Sequence, residues 1–165
     1  MVLIGLMYPI RACKDRVIEL VLSSQKVVDL IGDSTYKIAP APDLLYKKVY
    51  PFIYIPDTID SASAIVCVEA NIISVKTDTV CDVELTIATM CHCDIMRTDF
   101  GTRIDALADE IDDLINHSRE FGIGRIVPSA RYPTDYTLPN YNYVCRKVKY
   151  TILNYNFRFG NTYDG

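Results

Sequence analysis

The sequence predicts an α+β fold in which an N-terminal helix and a central amphipathic helix pack on a single antiparallel sheet. In two stretches, residues 13–31 and 104–116, apolar side chains recur every three or four positions, as on the core face of a helix. Between them, residues 64–76 and 79–93 are strand-type runs with a short connection, which is the pattern of a β-hairpin. Helices and an antiparallel hairpin in this order are typical of the α+β class.

Length and composition indicate one globular domain that spans residues 1–165. The chain is 50% hydrophobic and 23% charged, as globular proteins are and disordered ones are not. A chain of 165 residues is most simply one domain with a sizeable core. The net charge is −4, and lysine and arginine are spread along the chain, so composition gives no electrostatic reason to expect tight nucleic-acid binding.

The first helix is expected at Cys13–Ile31. Gly32 follows it, at the place where helices often end in a left-handed residue. Residues 33–48 should be irregular because Pro40 and Pro42 prevent a regular helix or a central strand.

A β-type segment follows at Val49–Ile55 and should lie at an edge of the sheet. Pro51 has no N–H to donate to a neighbouring strand, so the segment cannot be central.

The second strand of the hairpin alternates along residues 79–93, which predicts one buried and one wetter face. One face would carry Cys81, Val83, Leu85, Ile87, Thr89, Cys91 and Cys93, and the other Asp82, Glu84, Thr86, Ala88, Met90 and His92.

The six cysteines are interpreted as reduced rather than disulfide-bonded. Three of them share the buried side of one strand, and free cysteine is often buried. The apolar opening at residues 1–10 has no basic residues before it and is shorter than the roughly 20 residues of a membrane span. We expect a chain that folds in the cytosol and has no membrane segment.

Cys91, His92 and Cys93 form the strongest candidate for a metal site. Strand alternation turns His92 away from both cysteines, so one strand cannot present all three to one ion. We therefore expect no metal, no cofactor and no catalytic residues. The alternative is a small cytosolic metal or thiol enzyme that uses these three residues and His117.

The central helix should begin near Thr102, which with Asp105 resembles a capping box. Its core face is predicted to hold Ile104, Leu107, Ile111, Leu114 and Ile115, and its opposite face is acidic, with Asp105, Asp109, Asp112 and Asp113. An acidic stripe is most often a solvated face. The sharper interpretations are a contact with basic residues of a neighbouring subunit, or the wall of a channel to which DNA does not adhere.

Residues 128–143 form a long loop with three prolines and four tyrosines, between a short strand near Arg125–Val127 and a closing strand near Val144–Phe159. Tyrosine is enriched at protein interfaces, and proline lowers the ordering cost of docking. We therefore expect a partner-binding loop, and its candidate residues are Tyr132, Tyr136, Tyr141 and Tyr143.

The chain resembles the tail terminator, or tail completion, proteins of long-tailed bacteriophages. The features that carry the resemblance are the helix ending in Val28–Asp33, the segment Val49–Ile53, the hairpin and helix over 64–116, and the closing strand. The resemblance covers most of the chain in element order, through short motifs. The tyrosine-rich loop has no counterpart in the family pattern.

The resemblance implies a structural ring of six copies at the virion head–tail junction. Such a ring caps the tail tube, joins the head-side connector and lets viral DNA pass through. Its partners would be other copies of the chain, the tail tube protein and the connector or stopper protein, and assembly would occur in the host bacterial cytoplasm. Two alternatives are a head-side connector or stopper protein of the same junction, and a monomeric adaptor that binds peptides at a sheet edge.

Overall fold

The computed structural model describes residues 9–32, 37–56, 62–99, 101–132 and 142–155, with only the backbone at 127 and 129–132. Within them the elements are, in order, α1 (Pro9–Ser23), α2 (Gln25–Ile31), β1 (Val49–Tyr50), β2 (Ala64–Thr77), β3 (Val80–His92), β4 (Arg97–Thr98), β5 (Gly101–Thr102), α3 (Arg103–Ile115), β6 (Val127–Tyr132) and β7 (Tyr143–Tyr155). Single 3₁₀ turns lie at Pro42–Leu44 and Cys93–Ile95.

The main sheet has the strand order β1-β2-β3-β7-β6 in the described residues. All of its neighbouring strands are antiparallel except β1, which pairs in parallel with β2. The predicted α+β class with an N-terminal helix and an amphipathic helix on the sheet is confirmed. A small second ladder, β4 with β5, leads into α3.

The main core lies between the three helices and one face of the sheet. The strands contribute alternate residues to it, such as Val66 and Val68 from β2 and Val83 and Leu85 from β3. This face will be called the helix side, and the opposite face the outer side.

The predicted single helix at Cys13–Ile31 is wrong in two respects, because the helical region already includes residues 9–12 and because the chain forms two helices that meet at Ser24. Ser24 has an extended backbone, and its hydroxyl accepts a hydrogen bond from the Val27 N–H at 3.5 Å, so it caps α2. Gly32 ends α2 in the left-handed conformation, as predicted, with φ 69°.

The predicted edge segment Val49–Ile55 is a strand only at Val49–Tyr50. It lies at the edge of the sheet, as expected, and pairs with Val66 and Cys67 of β2. From Pro51 onward the chain leaves the ladder and packs Tyr54 against the outer side of the sheet.

The hairpin is confirmed as β2 and β3, but two details of its predicted burial are wrong. Ala88 and Met90 were assigned to the wetter face, and both are fully buried because the outer side carries a second apolar cluster there. Cys93 was expected in the buried row, but the strand ends at His92 and Cys93 is exposed on the following 3₁₀ turn.

Helix α3 begins after Thr102, as predicted, without the expected capping box. The Thr102 hydroxyl hydrogen-bonds to the Asp105 carboxylate, and no side-chain cap on the first N–H groups is formed.

The region 128–143 is not one long loop. Residues Val127–Tyr132 are strand β6, two residues later than the predicted short strand, and Tyr143 already belongs to β7. Strand order explains the error, since β6 forms only by pairing with β7 at the far edge of the sheet. Residues 156–159 of the predicted closing strand lie outside the described residues.

Candidate subunit interface

Four exposed apolar side chains at 46–55 form what will be called the aromatic surface. Its members are Tyr46, Phe52, Ile53 and Ile55, and the fractional exposure is 62% for Tyr46 and 42% for Phe52. Scattered exposed apolar residues are ordinary, but a cluster this dense in one ten-residue segment is typical of an interaction site.

Contacts between rings hold the aromatic surface together. Tyr50 stacks on Tyr54 with ring centroids 4.3 Å apart and meets Phe52 edge-on at 5.6 Å. The Tyr46 ring lies 6.5 Å from that of Phe52. Tyr50 is itself buried, so the exposed rings rest on a fixed base and lose little freedom when a partner binds.

Tyr46 is positioned by an unusual backbone. Its φ is 61°, in the left-handed region that few residues other than glycine adopt. The Tyr46 N–H donates to the Val49 carbonyl at 2.8 Å, and the N–H groups of Lys47 and Lys48 donate to the Leu44 carbonyl at 3.0 and 2.8 Å. This tight turn points the tyrosine away from the core.

A second cluster of apolar side chains, which will be called the outer cluster, lies under this segment on the outer side of the sheet. Both faces of the sheet are therefore covered. The outer cluster contains Tyr50, Ile65, Cys67, Ala88, Met90, Tyr143 and Cys145, with Tyr54 packed against it. The Tyr54 N–H donates to the Cys67 sulfur at 3.5 Å, and the Cys67 thiol donates back to the Tyr54 carbonyl at 3.7 Å.

Tyr143 was predicted to bind a partner, and the structure leaves it little exposed surface for such a contact. The residue is 5% exposed, its hydroxyl is 3.2 Å from that of Ser63, and its ring meets the His92 ring edge-on at 5.0 Å. It belongs to the outer cluster. Tyr136 and Tyr141 lie outside the described residues, as does the side chain of Tyr132.

A second exposed apolar site lies at the turn end of the hairpin. Ile73 and Val75 on β2 are 54% and 56% exposed, and Tyr155 ends β7 at the same end of the sheet, opposite Val80. A register shift between Ile72 and Ser74 takes Ile73 out of the regular ladder, whereas Val75 stays in register with Cys81 and a second shift follows it. Ile73 and Val75, with the end of β2 and the turn at residues 76–79, will be called the hairpin tip.

The predicted acidic face of α3 divides into two parts. Asp105 forms an ion pair with Arg146 of β7 at 2.5 Å, and Asp112 accepts a hydrogen bond from the hydroxyl of buried Tyr150. Asp109 and Asp113 are exposed. Asp105 and Asp112 therefore hold α3 on its own sheet, and Asp109 and Asp113 form the solvent side of the helix.

The residues of the enzyme alternative do not come together. Cys91 is buried on the helix side, His92 meets the outer cluster, and Cys93 is exposed. His117 lies beyond the far end of α3 and donates its N–H to the Ile126 carbonyl. Burial raises the pKa of the Cys91 thiol to about 11, so its nucleophilic thiolate form is scarce near pH 7.

Comparison with known proteins identifies a family for this chain. A family model named YomW matches residues 24–152, which include every strand of the sheet except the end of β7. The chain belongs to the YomW family. The family name derives from a Bacillus phage, and membership indicates a phage protein in a virion or host-cell context. No curated protein matches the chain.

Among the residues that the structure describes, no helix has both the length and the apolar character needed to cross a membrane.

Sequence reasoning missed the aromatic surface, although its signal was present. The run Tyr50–Ile55 alternates aromatic and aliphatic residues around Pro51, and a proline that stops the strand leaves the following apolar residues without a place in the ladder.

Proposed function

We propose that the chain is a structural protein of the phage head–tail junction. It forms a ring that caps the tail tube and joins it to the head-side connector, and viral DNA passes through the ring. Two things support the proposal: membership of a phage-derived family, and the resemblance of the element order to that of tail terminator proteins. The observation that carries it is the aromatic surface, because a ring subunit needs preformed apolar contact area on its exterior.

The aromatic surface has the composition of a protein interface rather than that of a small-molecule site. Tyrosine and phenylalanine are enriched in interface cores, where each buried apolar side chain contributes about 1.5–3 kcal/mol. Lys47 and Lys48 are the charged residues of the segment, and they provide a polar rim. The segment is ordered by its ring contacts, which suits docking between folded subunits.

In this proposal the exposed part of the acidic face lines the channel. Asp109 and Asp113 would face the DNA, while Asp105 and Asp112 remain bound to β7. A negative wall gives the polyanion no counterion-release contacts and lets it slide during packaging and ejection. The proposal assigns no catalytic residue and no cofactor.

Mass photometry of the purified chain, alone and with the tail tube protein, tests the proposal. We expect a ring of about six copies that binds one end of preformed tubes and then recruits the head-side connector. A connector or stopper protein of the same junction would bind the head side first and would not cap tubes. A chain that stays monomeric and binds neither component would overturn the proposal.

A second candidate function is peptide binding at the edge of β2. Among the described residues, β1 pairs with β2 only at Val66 and Cys67, so the later part of β2 has no neighbouring strand on that side. Such an edge accepts an added strand. The register shifts near Ile73 and Val75 disfavour this function, since they interrupt the row of backbone groups that a peptide would use. It predicts a monomer that binds short extended peptides.

A further inference from the structure

We propose that the aromatic surface of one subunit packs on the hairpin tip of the next copy. This inference rests on the proposed ring and names the two surfaces that meet within it. Each surface is exposed and apolar, and both are present in every copy of the chain.

The two surfaces lie at opposite ends of the same strand. The aromatic surface follows β1, which pairs with β2 at Val66 and Cys67, and the hairpin tip includes Val75 of the same strand. At about 3.3 Å per residue, nine residues of strand separate them by about 30 Å. They cannot meet within one molecule. Two different contact surfaces on opposite ends of a subunit produce head-to-tail association, which closes into a ring when the rotation allows.

Charge favours contact between unlike surfaces over contact between like ones. Residues 46–55 contain Lys47 and Lys48 and no acidic residue. Residues 73–82 contain Lys76, Asp78 and Asp82, and Lys76 pairs with Asp82 at 3.1 Å, so the turn keeps the negative charge of Asp78. Two aromatic surfaces facing each other would bring the like charges of two Lys48 side chains together, whereas an aromatic surface facing a hairpin tip places Lys48 beside Asp78.

Two single substitutions distinguish this contact from a symmetric one. Phe52→Glu should disable the aromatic surface, and Val75→Glu should disable the hairpin tip. Each variant alone should be monomeric in sedimentation velocity, with its self-association weakened about 100-fold or more, because a charge would be buried in the apolar contact. An equimolar mixture should form one-to-one dimers and nothing larger, because only one intact pair of surfaces remains.

The matched control is Ile38→Glu, which places the same charge at an exposed isoleucine outside both surfaces. It should assemble as the natural chain does. Circular dichroism must show all three variants folded. Should either glutamate variant fail to fold, charge reversal replaces it: Lys48→Glu should weaken assembly, and adding Asp78→Lys should restore it.

The outcomes separate this inference from the proposed function. If Val75→Glu alone still dimerises, the aromatic surface pairs with itself and the inference is overturned. If both glutamate variants form full rings, the ring uses other surfaces, which overturns the inference and leaves the proposed function standing. If the natural chain is monomeric and binds neither tail tube nor connector, the proposed function falls and the inference falls with it.

Discussion

Tyr46 combines a strained backbone conformation with a large ring that is exposed to solvent. A residue with a Cβ in the left-handed conformation costs roughly 1–2 kcal/mol relative to the ordinary helical region. The chain bears this cost in order to hold a large ring in solvent, with 62% of the residue exposed. A position selected for stability alone would carry glycine or asparagine. The strain is therefore consistent with a role for the Tyr46 ring in contact with a partner.

Comparison of Tyr46→Gly with Tyr46→Ala tests this interpretation. Both variants lose the exposed ring, but only glycine relieves the backbone strain. We expect the glycine variant to unfold at a higher urea concentration than the alanine variant, with a free energy of unfolding larger by about 1 kcal/mol. Both should assemble less well than the natural chain. Normal assembly by the glycine variant would show that the ring is not part of the contact.

Gly32 is required for both conformation and space. Its φ is 69°, and a Cβ added there would lie 2.9 Å from the Arg103 Nη1, which donates to the Leu30 carbonyl at 2.7 Å. Gly32→Ala should lower the free energy of unfolding by about 1–3 kcal/mol, measured by urea denaturation. Gly32→Asn should lose less, because asparagine tolerates positive φ better than alanine does. Equal stability of the natural chain and the alanine variant would contradict this role of Gly32.

Burial of thiols makes stability fall at alkaline pH. Desolvation raises the pKa of Cys13, Cys67 and Cys91 to about 11, against an ordinary value of 9.0. The folded state keeps these protons after the unfolded state has lost them. Their contribution is therefore complete below pH 9 and is lost as pH rises towards 11. Urea midpoints measured from pH 8 to 11 should fall, and replacing Cys67 with alanine should reduce the slope. A flat profile would contradict the burial of these thiols.

Labelling with a thiol reagent checks the same burial at neutral pH. Cys93 is exposed and the other five cysteines are buried, so the native chain should react rapidly at one thiol and the unfolded chain at six. Cys93→Ser should abolish the rapid reaction. Rapid labelling of two or more thiols in the native state would show that the core is open.

At the scale of elements, periodicity predicted what depends on a single strand or helix. The hairpin and α3 have local patterns long enough to read, and Gly32 marks a helix end by its own conformational freedom. The errors occur where a distant element determines which side chains are buried or which strands pair. Ala88 and Met90 are buried because Tyr54 and its neighbours cross the outer side, and β6 exists only through pairing with β7. Neither effect leaves a signal in the local sequence.

For the candidate site too, local patterns were predicted from the sequence and the effects of distant elements were not. The acidic stripe of α3 was visible as a sequence pattern, but its division into sheet-bound and exposed aspartates was not. That division depends on Arg146 and Tyr150, which contact Asp105 and Asp112 from a strand about 40 residues away in the chain. Composition favoured a tyrosine-rich loop as the contact region. The described part of that region instead contributes Tyr143 to the interior, and the exposed rings lie in an earlier segment.

Matched substitutions on α3 test its two acidic parts. Asp112→Ala removes the carboxylate that binds the Tyr150 hydroxyl and should lower the free energy of unfolding by about 2 kcal/mol. Asp113→Ala, on the exposed side, should change it by less than about 0.5 kcal/mol. Thermal or urea unfolding of both variants measures the difference. Equal losses would show that the division of the stripe is wrong.

At the scale of the whole molecule, a buried central sheet lies between two exposed apolar surfaces. A sheet covered on both sides by apolar clusters holds the aromatic surface and the hairpin tip at a fixed separation. Fixed separation matters for a closed ring, because small changes in the angle between contacts would leave it open or turn it into a filament. A fixed separation of the two surfaces is what the proposed ring of identical copies requires.

The proposed position in the virion is tested most directly by immunogold electron microscopy of particles that carry an epitope-tagged chain. We expect label at one place, the junction between head and tail, and tails that lack a defined head-proximal end when the gene is deleted. Label along the whole tail or on the capsid, or normal infectious particles formed in the absence of the chain, would contradict the proposed position.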